Sequence, residues 1–463
     1  MEQNQMSYVK ISKLIWKIGF PMILSMILQA VYNVVDTIFV INSSAATLGN
    51  EALTAAFPIQ ILIIAIGVGT GVGINALLSK CLGEGKHDFV TKIVGNGIFL
   101  ALIIYIAFLL FGIFGAEAYM HLMSNNETVV EYGTMYLRIC CCFSLGSIGY
   151  TVYERFLQST GKSTQSMIAQ MSGAIANIGL DALFILVFNW GVAGAAWATI
   201  IGQFLSLFVA MFFHYYSNKE IKNKFSAIKP SWNIIKGIYK IGLPAAIMQG
   251  LLAAMMFIIL LIINTIDDGI DRSLMTNAFG IYYKIMQIGL FACFGLSNTL
   301  ITIVSFNYGM KNKERVYSTI KWGIIDSIIT AIVVTILFQI FANPIAEMFG
   351  MSLEEVSSTG ILKQDVINTV VLAIHIATIG YVFMGISVGI QGILQGFRNV
   401  MKPVIISLLR LIVFVIPLAF IFTKNSAVIS LFWWTFPITE VLTAAISLFL
   451  LKVTIKKLKF DIE

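Results

Sequence analysis

Residues 18–41 read Ile-Gly-Phe-Pro-Met-Ile-Leu-Ser-Met-Ile-Leu-Gln-Ala-Val-Tyr-Asn-Val-Val-Asp-Thr-Ile-Phe-Val-Ile, and Asp36 is their only charge. At 1.5 Å of helical rise per residue the stretch reaches about 36 Å, enough to cross a bilayer whose hydrocarbon core is about 30 Å thick. A carboxylate at that depth costs several kcal/mol or must be neutralised, so an acid there points to function. Asp181 repeats the situation within the apolar run 167–188. Neither acid has a basic residue at helical spacing, and the pair points to an ion- or proton-coupled transporter.

Working outward, 58% of the 463 residues are hydrophobic and 11% are charged. That balance excludes an ordinary soluble domain and indicates a polytopic membrane protein. Hydropathy gives twelve spans, near 16–41, 53–79, 93–116, 132–154, 166–188, 191–215, 236–265, 277–303, 319–345, 366–394, 403–423 and 426–452. The net charge of +7 is not spread as a nucleic-acid binder would spread it. Of 30 Lys and Arg, 24 fall in alternate connections and the two ends. Three (Arg272, Lys363 and Lys424) fall in the others, and Arg138, Lys284 and Arg410 lie within spans. Basic residues accumulate on the cytoplasmic side, so both termini are expected there, in the plasma (inner) membrane. No cleavable signal peptide is expected, because the first apolar run is too long for one. The five cysteines, Cys81, Cys140, Cys141, Cys142 and Cys293, show no metal-ligand or CxxC spacing and read as packing residues.

The halves echo each other. Lys17-Ile-Gly-Phe-Pro21 recurs as Lys240-Ile-Gly-Leu-Pro244, Leu82-Gly83 as Tyr308-Gly309, and Leu157-Gln158 as Leu394-Gln395. Six spans separate each pair, so the halves share one orientation and are related by an axis along the membrane normal. The expected fold is all-α, with twelve transmembrane helices in two pseudo-symmetric six-helix lobes. The expected division is an N-lobe (1–216), a lysine-rich cytoplasmic linker (217–235) and a C-lobe (236–463). The repeat places Ile259 opposite Asp36, Phe414 opposite Asn177 and Leu418 opposite Asp181. The acids therefore belong to one half, as a single asymmetric coupling site requires.

Residues three, four and seven apart share a helix face. Ser25, Gln29, Asn33 and Asp36 form such a stripe, Asn177 and Asp181 are one turn apart, and so are Thr199 and Gln203. Carboxylate, amide and hydroxyl oxygens from three helices suit a hard monovalent cation. Two nearby carboxylates could equally share a proton, and the amides and hydroxyls could simply bond between helices. Gln29, Asn33, Gln203 and Gln249 are candidate polar residues of a substrate cavity. Pro21 removes a backbone hydrogen bond and permits a kink.

With these residues in place the chain resembles the multidrug and toxic compound extrusion (MATE) family over essentially its whole length. The resemblance rests on Gly19-Phe-Pro21 with Asp36, on Gly73-Ile-Asn-Ala-Leu-Leu-Ser-Lys-Cys-Leu-Gly-Glu-Gly-Lys86, on Asn177-Ile-Gly-Leu-Asp181, and on Gly191-Val-Ala-Gly-Ala-Ala-Trp-Ala-Thr199. It implies two lobes around a central cavity and alternating access exchanging an inward cation for an outward drug. It also implies Na+ or H+ as coupling ion, held by Asp36, Asn177, Asp181 and Thr199, with Pro21 as the kink and no other cofactor. The chain departs from branches with acids on the seventh and eighth spans, since the seventh has none and the eighth carries Lys284.

Other features read as structural. The run Gly67, Gly69, Gly71 and Gly73 lies within a span and suits close packing or a hinge, and Gly83-Glu-Gly-Lys86 lacks the spacing of a P-loop. Glu154, Arg155 and Lys162 read as interface anchors. Asp326 and Glu440 are candidate partners for Lys284 or Arg410, and His375 reads as a packing or substrate contact. Met248, Met255, Met256 and Met286, with Tyr282, Tyr283 and Phe294, offer surface for lipophilic cations, and ordinary core packing explains each of them equally well. The expected partners are the bilayer and small organic cations, without nucleic acid, for a monomer that is not an enzyme. The alternative is a lipid-linked oligosaccharide flippase. An embedded enzyme would need a nucleophile, metal or acid–base motif; neither HExxH nor paired histidines occur, and the one GxSxG match, Gly385-Ile-Ser-Val-Gly389, lies inside the span 366–394.

Overall fold

The computed structural model describes residues 4–41, 46–221, 224–350, 362–425 and 427–457, with the side chains of 32–41, 46–51, 54 and 225 outside that description. Every secondary-structure element among the described residues is helical. Hydrocarbon offers the backbone no hydrogen bonds, so each apolar run satisfies its own amides as a helix. Among the described residues eleven helices are long and apolar enough to cross a membrane, and one bent pair, taken as one span, brings the number to twelve. That pair is the expected fourth span, whose two pieces, Glu127–Cys142 and Leu145–Ser159, meet at 40°.

The chain divides into two compact units. The first holds residues up to Ile247 together with Thr302–Val316. It contains α1 (Gln5–Tyr8), α2 (Ile11–Ile41, with Pro21 inside), α3 (Ala46–Gly83), α4 (His87–Leu110), α5 (Ala116–Met123), α6 (Glu127–Cys142), α7 (Leu145–Ser159), α8 (Ser163–Asp181) and α9 (Gly191–Ser217). The second holds Met248–Ile301 and everything from Tyr317 onward. The partition cuts α10 (Trp232–Ile263) and α11 (Gly269–Gly309). Beyond them lie α12 (Lys313–Ile340), α13 (Ala342–Gly350), α14 (Lys363–Ala377), α15 (Tyr381–Gly396), α16 (Met401–Leu408), α17 (Val415–Thr423), α18 (Val428–Leu431) and α19 (Thr435–Lys457).

In the first unit α8 lies against α2 and α9, and α7 against α3 and α9. Small residues set these approaches. A methyl group on Gly69 would fall 2.6 Å from the Gly242 carbonyl oxygen, and one on Gly73 would fall 2.2 Å from that of Ile238. The glycine run of α3 is therefore a packing surface for the start of α10. Cys140 and Cys141 are buried, as packing residues would be.

Four tight turns carry the repeat down to single dihedral angles. Gly85 (φ 69°) and Gly161 (φ 79°) take the left-handed conformation after α3 and α7; Lys311 (φ 56°) and Arg398 (φ 58°) take it after α11 and α15. In each turn the next amide reaches back five residues, as in Lys86 N to Cys81 O, Lys162 N to Leu157 O, Asn312 N to Asn307 O and Asn399 N to Leu394 O. This is the helix-ending motif that favours glycine. The second half builds it from cationic residues.

Candidate functional site

A cavity of about 90 Å³ lies inside the first unit, walled by α2, α3, α7, α8 and α9. Its polar lining includes Gln29 from α2, Glu154 and Arg155 from α7, Asn177 from α8, and Thr199 and Gln203 from α9. The crossing of α8 over α9 brings the last three together. Gly173 and Gly202 meet there, and a methyl on Gly202 would lie 2.7 Å from the Gly173 carbonyl oxygen and 3.0 Å from Asn177 Cβ. One turn on from Gly173, Asn177 faces Thr199 and Gln203.

Asn177 is 3% exposed, and neither its Nδ2 nor its Oδ1 has a hydrogen-bond partner among the described residues. An unsatisfied buried polar atom costs about 1–3 kcal/mol. This amide lines the cavity with one hydroxyl and two further amides, oxygen donors of the kind a hard monovalent cation takes. The space suits an ion with a few waters and is too small for a drug-sized molecule, which needs roughly 300 Å³ or more.

Four of the predicted residues, Asn177, Thr199, Gln29 and Gln203, thus line one cavity. Asp181 is fully buried one turn beyond Asn177, at the end of α8, where a π-helical stretch, Ala182–Val187, takes over. The side chains of Asn33 and Asp36 lie outside the described residues. Gln249 is half-buried on α10 in the second unit and is not part of this cavity.

One reading from the sequence needs correction. Glu154 and Arg155 are not interface anchors: they are 8% and 2% exposed and line the cavity. Arg155 donates from Nη1 to Gln158 Oε1 at 2.7 Å; Gln158 donates from Nε2 to Glu154 Oε1 at 2.9 Å and to Ser166 Oγ at 3.2 Å. Arg155 Nε stands 3.8 Å from Glu154 Oε2. Two things bury them: the bend in the fourth span, and Gly71, whose missing side chain leaves room for the Arg155 stem. The i, i+3 and i, i+4 spacing of Arg155, Gln158 and Glu154 was the available signal. For the aromatic and methionine residues the core-packing reading holds in part. Tyr282, Tyr283, Met255 and Met286 are core residues, leaving Met248, Met256 and Phe294 half-buried.

Two of the three bases inside spans pair with acids. Arg410 donates from Nε to Glu440 Oε1 at 2.6 Å in the interior of the second unit, and Arg138 pairs with Glu117 at 2.7 Å on an exposed face. His375 is exposed and bonded through Nδ1 to Gln339 at 2.7 Å.

Comparison with known proteins agrees with this architecture. The chain is 24% identical over 427 residues to a probable multidrug resistance protein NorM of Thermotoga maritima, covering 90% of this chain and 86% of the relative. It is 25% identical over 370 residues to the multidrug export protein MepA of Staphylococcus saprophyticus, covering 76% and 79%. Its fold superposes with a TM-score of 0.90 on the outward-facing conformation of a multidrug resistance MATE family transporter, at 21% identity over 99% and 98% of the two chains. The MatE family model matches residues 21–183 and 244–421, and the two matches begin at Pro21 and Pro244, the prolines that open the internal repeat. With both halves matched and the helical architecture in agreement, this chain belongs to the MatE family of membrane transporters.

Proposed function

We propose that the protein is a cation-coupled multidrug antiporter, exporting lipophilic organic cations in exchange for Na+ or H+ by alternating access. The observation that carries this reading is the buried amide of Asn177, without a hydrogen-bond partner among the described residues, lining one small cavity with Thr199, Gln29 and Gln203. Amide and hydroxyl oxygens replace part of the hydration shell of a monovalent cation. Asp181, one turn away, and Asp36, on the same α2 as Gln29, supply charge. An ion seated there ties α2, α8 and α9 together, and an ion that binds one shape of the transporter better than another biases the equilibrium between them. Family membership and the export activity named for the relatives support the drug as the other partner in the exchange.

The test is ethidium efflux from proteoliposomes under an imposed Na+ gradient or an imposed pH gradient. Efflux driven by either gradient and abolished by Asp36→Asn is the expected result. Efflux by Asp36→Asn at the wild-type rate would overturn the coupling site. Failure of both gradients to drive dye would favour the flippase reading.

A further inference from the structure

A second and larger cavity, of about 1060 Å³, opens at the other end of the first unit, among the turns that follow α3, α7 and α9. It lies outside the ion cavity, and the transport reading makes no use of it. Among the described residues its charged lining is Lys17, Lys162 and Lys219 against Glu220, with His87 beside them, so three positive charges face one negative and leave +2 with the histidine neutral. The single carboxylate is already engaged, because Asn4 donates from Nδ2 to Glu220 Oε2 at 2.5 Å. Burial pushes the Glu220 carboxyl above its ordinary range, against the pull of Asn4, Lys162 and His87.

Helix ends add to this field. α8 begins at Ser163 after Lys162, with no side chain capping its first turn and no acid within it, and Thr164 and Gln165 from that turn line the cavity. α4 begins at His87, also without a side-chain cap. Free amides at a helix start, together with the helix dipole, favour anions and phosphates above all. The left-handed Gly161 makes the geometry possible, since it ends α7 and turns the chain within two residues into α8. Lys17 sits on α2 between the exposed Trp16 and Phe20, the setting of a basic residue at headgroup depth.

We propose that this cavity binds a phosphate ester, through Lys17, Lys162, Lys219 and the start of α8. A phospholipid headgroup and a free phosphate metabolite present the same chemistry. The volume accommodates either, being at the upper end of ordinary ligand pockets.

The experiment compares whole purified protein with its Lys17→Gln/Lys162→Gln/Lys219→Gln variant. Retention of phosphatidylglycerol against phosphatidylcholine is read by native mass spectrometry, and binding of inorganic pyrophosphate in detergent by calorimetry. Each lysine near an anionic surface contributes roughly fivefold, so the loss in the variant is on the order of 100-fold. Loss of pyrophosphate binding identifies a free phosphate ester as the ligand. Loss of phosphatidylglycerol selectivity, where pyrophosphate never binds, identifies a lipid. Two further variants separate a site from a folding defect: Lys17→Arg/Lys162→Arg/Lys219→Arg retains binding, and Glu220→Gln strengthens it. Equal behaviour of wild type and the glutamine variant toward both probes, or no anion preference in the wild type, overturns the proposal.

Discussion

Gly173 and Gly202 face each other where α8 crosses α9, close enough that a methyl on the first would lie 2.4 Å from the carbonyl oxygen of the second. The register of the whole ion cavity depends on this approach, because Asn177 and Thr199 lie within a turn of the crossing. Gly202→Ala should force the helices apart at a cost of roughly 1–3 kcal/mol, the usual penalty for overpacking. Gly179 on the same α8 meets nothing within 4 Å, so Gly179→Ala should be neutral or mildly stabilising. Thermal unfolding of the two variants in detergent, with dye efflux alongside, tests the contrast. Equal midpoints would mean the crossing tolerates a methyl.

Asn177→Ala separates a coordinating role from a structural one. An asparagine bonded between helices would lose about 1–3 kcal/mol on truncation. Here neither amide atom has a partner among the described residues, so stability should change by less than about 1 kcal/mol. Efflux should drop by roughly tenfold or more, the scale on which lost or misplaced ligands weaken ion sites. A large fall in thermal midpoint with efflux intact would make Asn177 a structural residue.

Arg155 is held to Glu154 through Gln158, and all three are buried. Arg155→Gln leaves a carboxylate uncompensated at the cavity wall and should destabilise by about 3 kcal/mol. The double variant Glu154→Gln/Arg155→Gln removes both charges and should recover most of that loss. A double-mutant cycle on thermal stability measures the difference; strict additivity of the two single effects would show that the charges do not act on each other.

Lys311 and Arg398 hold left-handed backbone that glycine adopts without strain. The strain for an ordinary residue is about 1–2 kcal/mol, set against roughly 0.5–1 kcal/mol of extra freedom that glycine loses on folding. Lys311→Gly and Arg398→Gly should each therefore stabilise by roughly 0.5–1 kcal/mol. Gly161→Ala, in the corresponding turn of the first half, should destabilise. Thermal midpoints of the three variants check the signs.

Glu220 gives a pH dependence of defined sign. Burial raises its carboxyl above the ordinary 4.5, so the folded chain holds that proton more tightly than the unfolded chain does. Its contribution is fully present below 4.5 and is lost as pH climbs through the raised folded value. A plot of thermal midpoint against pH should therefore decline over that window in the wild type. The decline should be smaller in Glu220→Gln, and an identical slope in both would assign it to other groups.

Much of the architecture was legible before any coordinates, because a membrane removes choices. Apolar runs must be helices, the recurrence of Lys17–Pro21 at Lys240–Pro244 exposes the repeat, and i, i+4 spacing places Asn177 and Gln203 on inward faces. The misreadings have one cause. Glu154 and Arg155 stand at the end of an apolar run, and hydropathy places such residues at a water interface. Their burial is decided by a bend at Phe143 and by the absence of a side chain at Gly71 on another helix. Neither is a property of the local sequence. Tyr282 and Met286 take the core-packing reading, one of the two that their sequence allowed equally.

The four matched turns show what a duplicated architecture keeps and what it lets go. Backbone shape is retained to within about 25° of φ in all four, although two of them work against the preference of their own residues. In the first half the turns are bare, and Gly85 and Gly161 both border the large basic cavity. In the second half the equivalent positions carry long cationic side chains. One copy leaves its corners open to an outside molecule, and the other furnishes them with its own charge. The two halves thus share a skeleton while offering the membrane surface different chemistry.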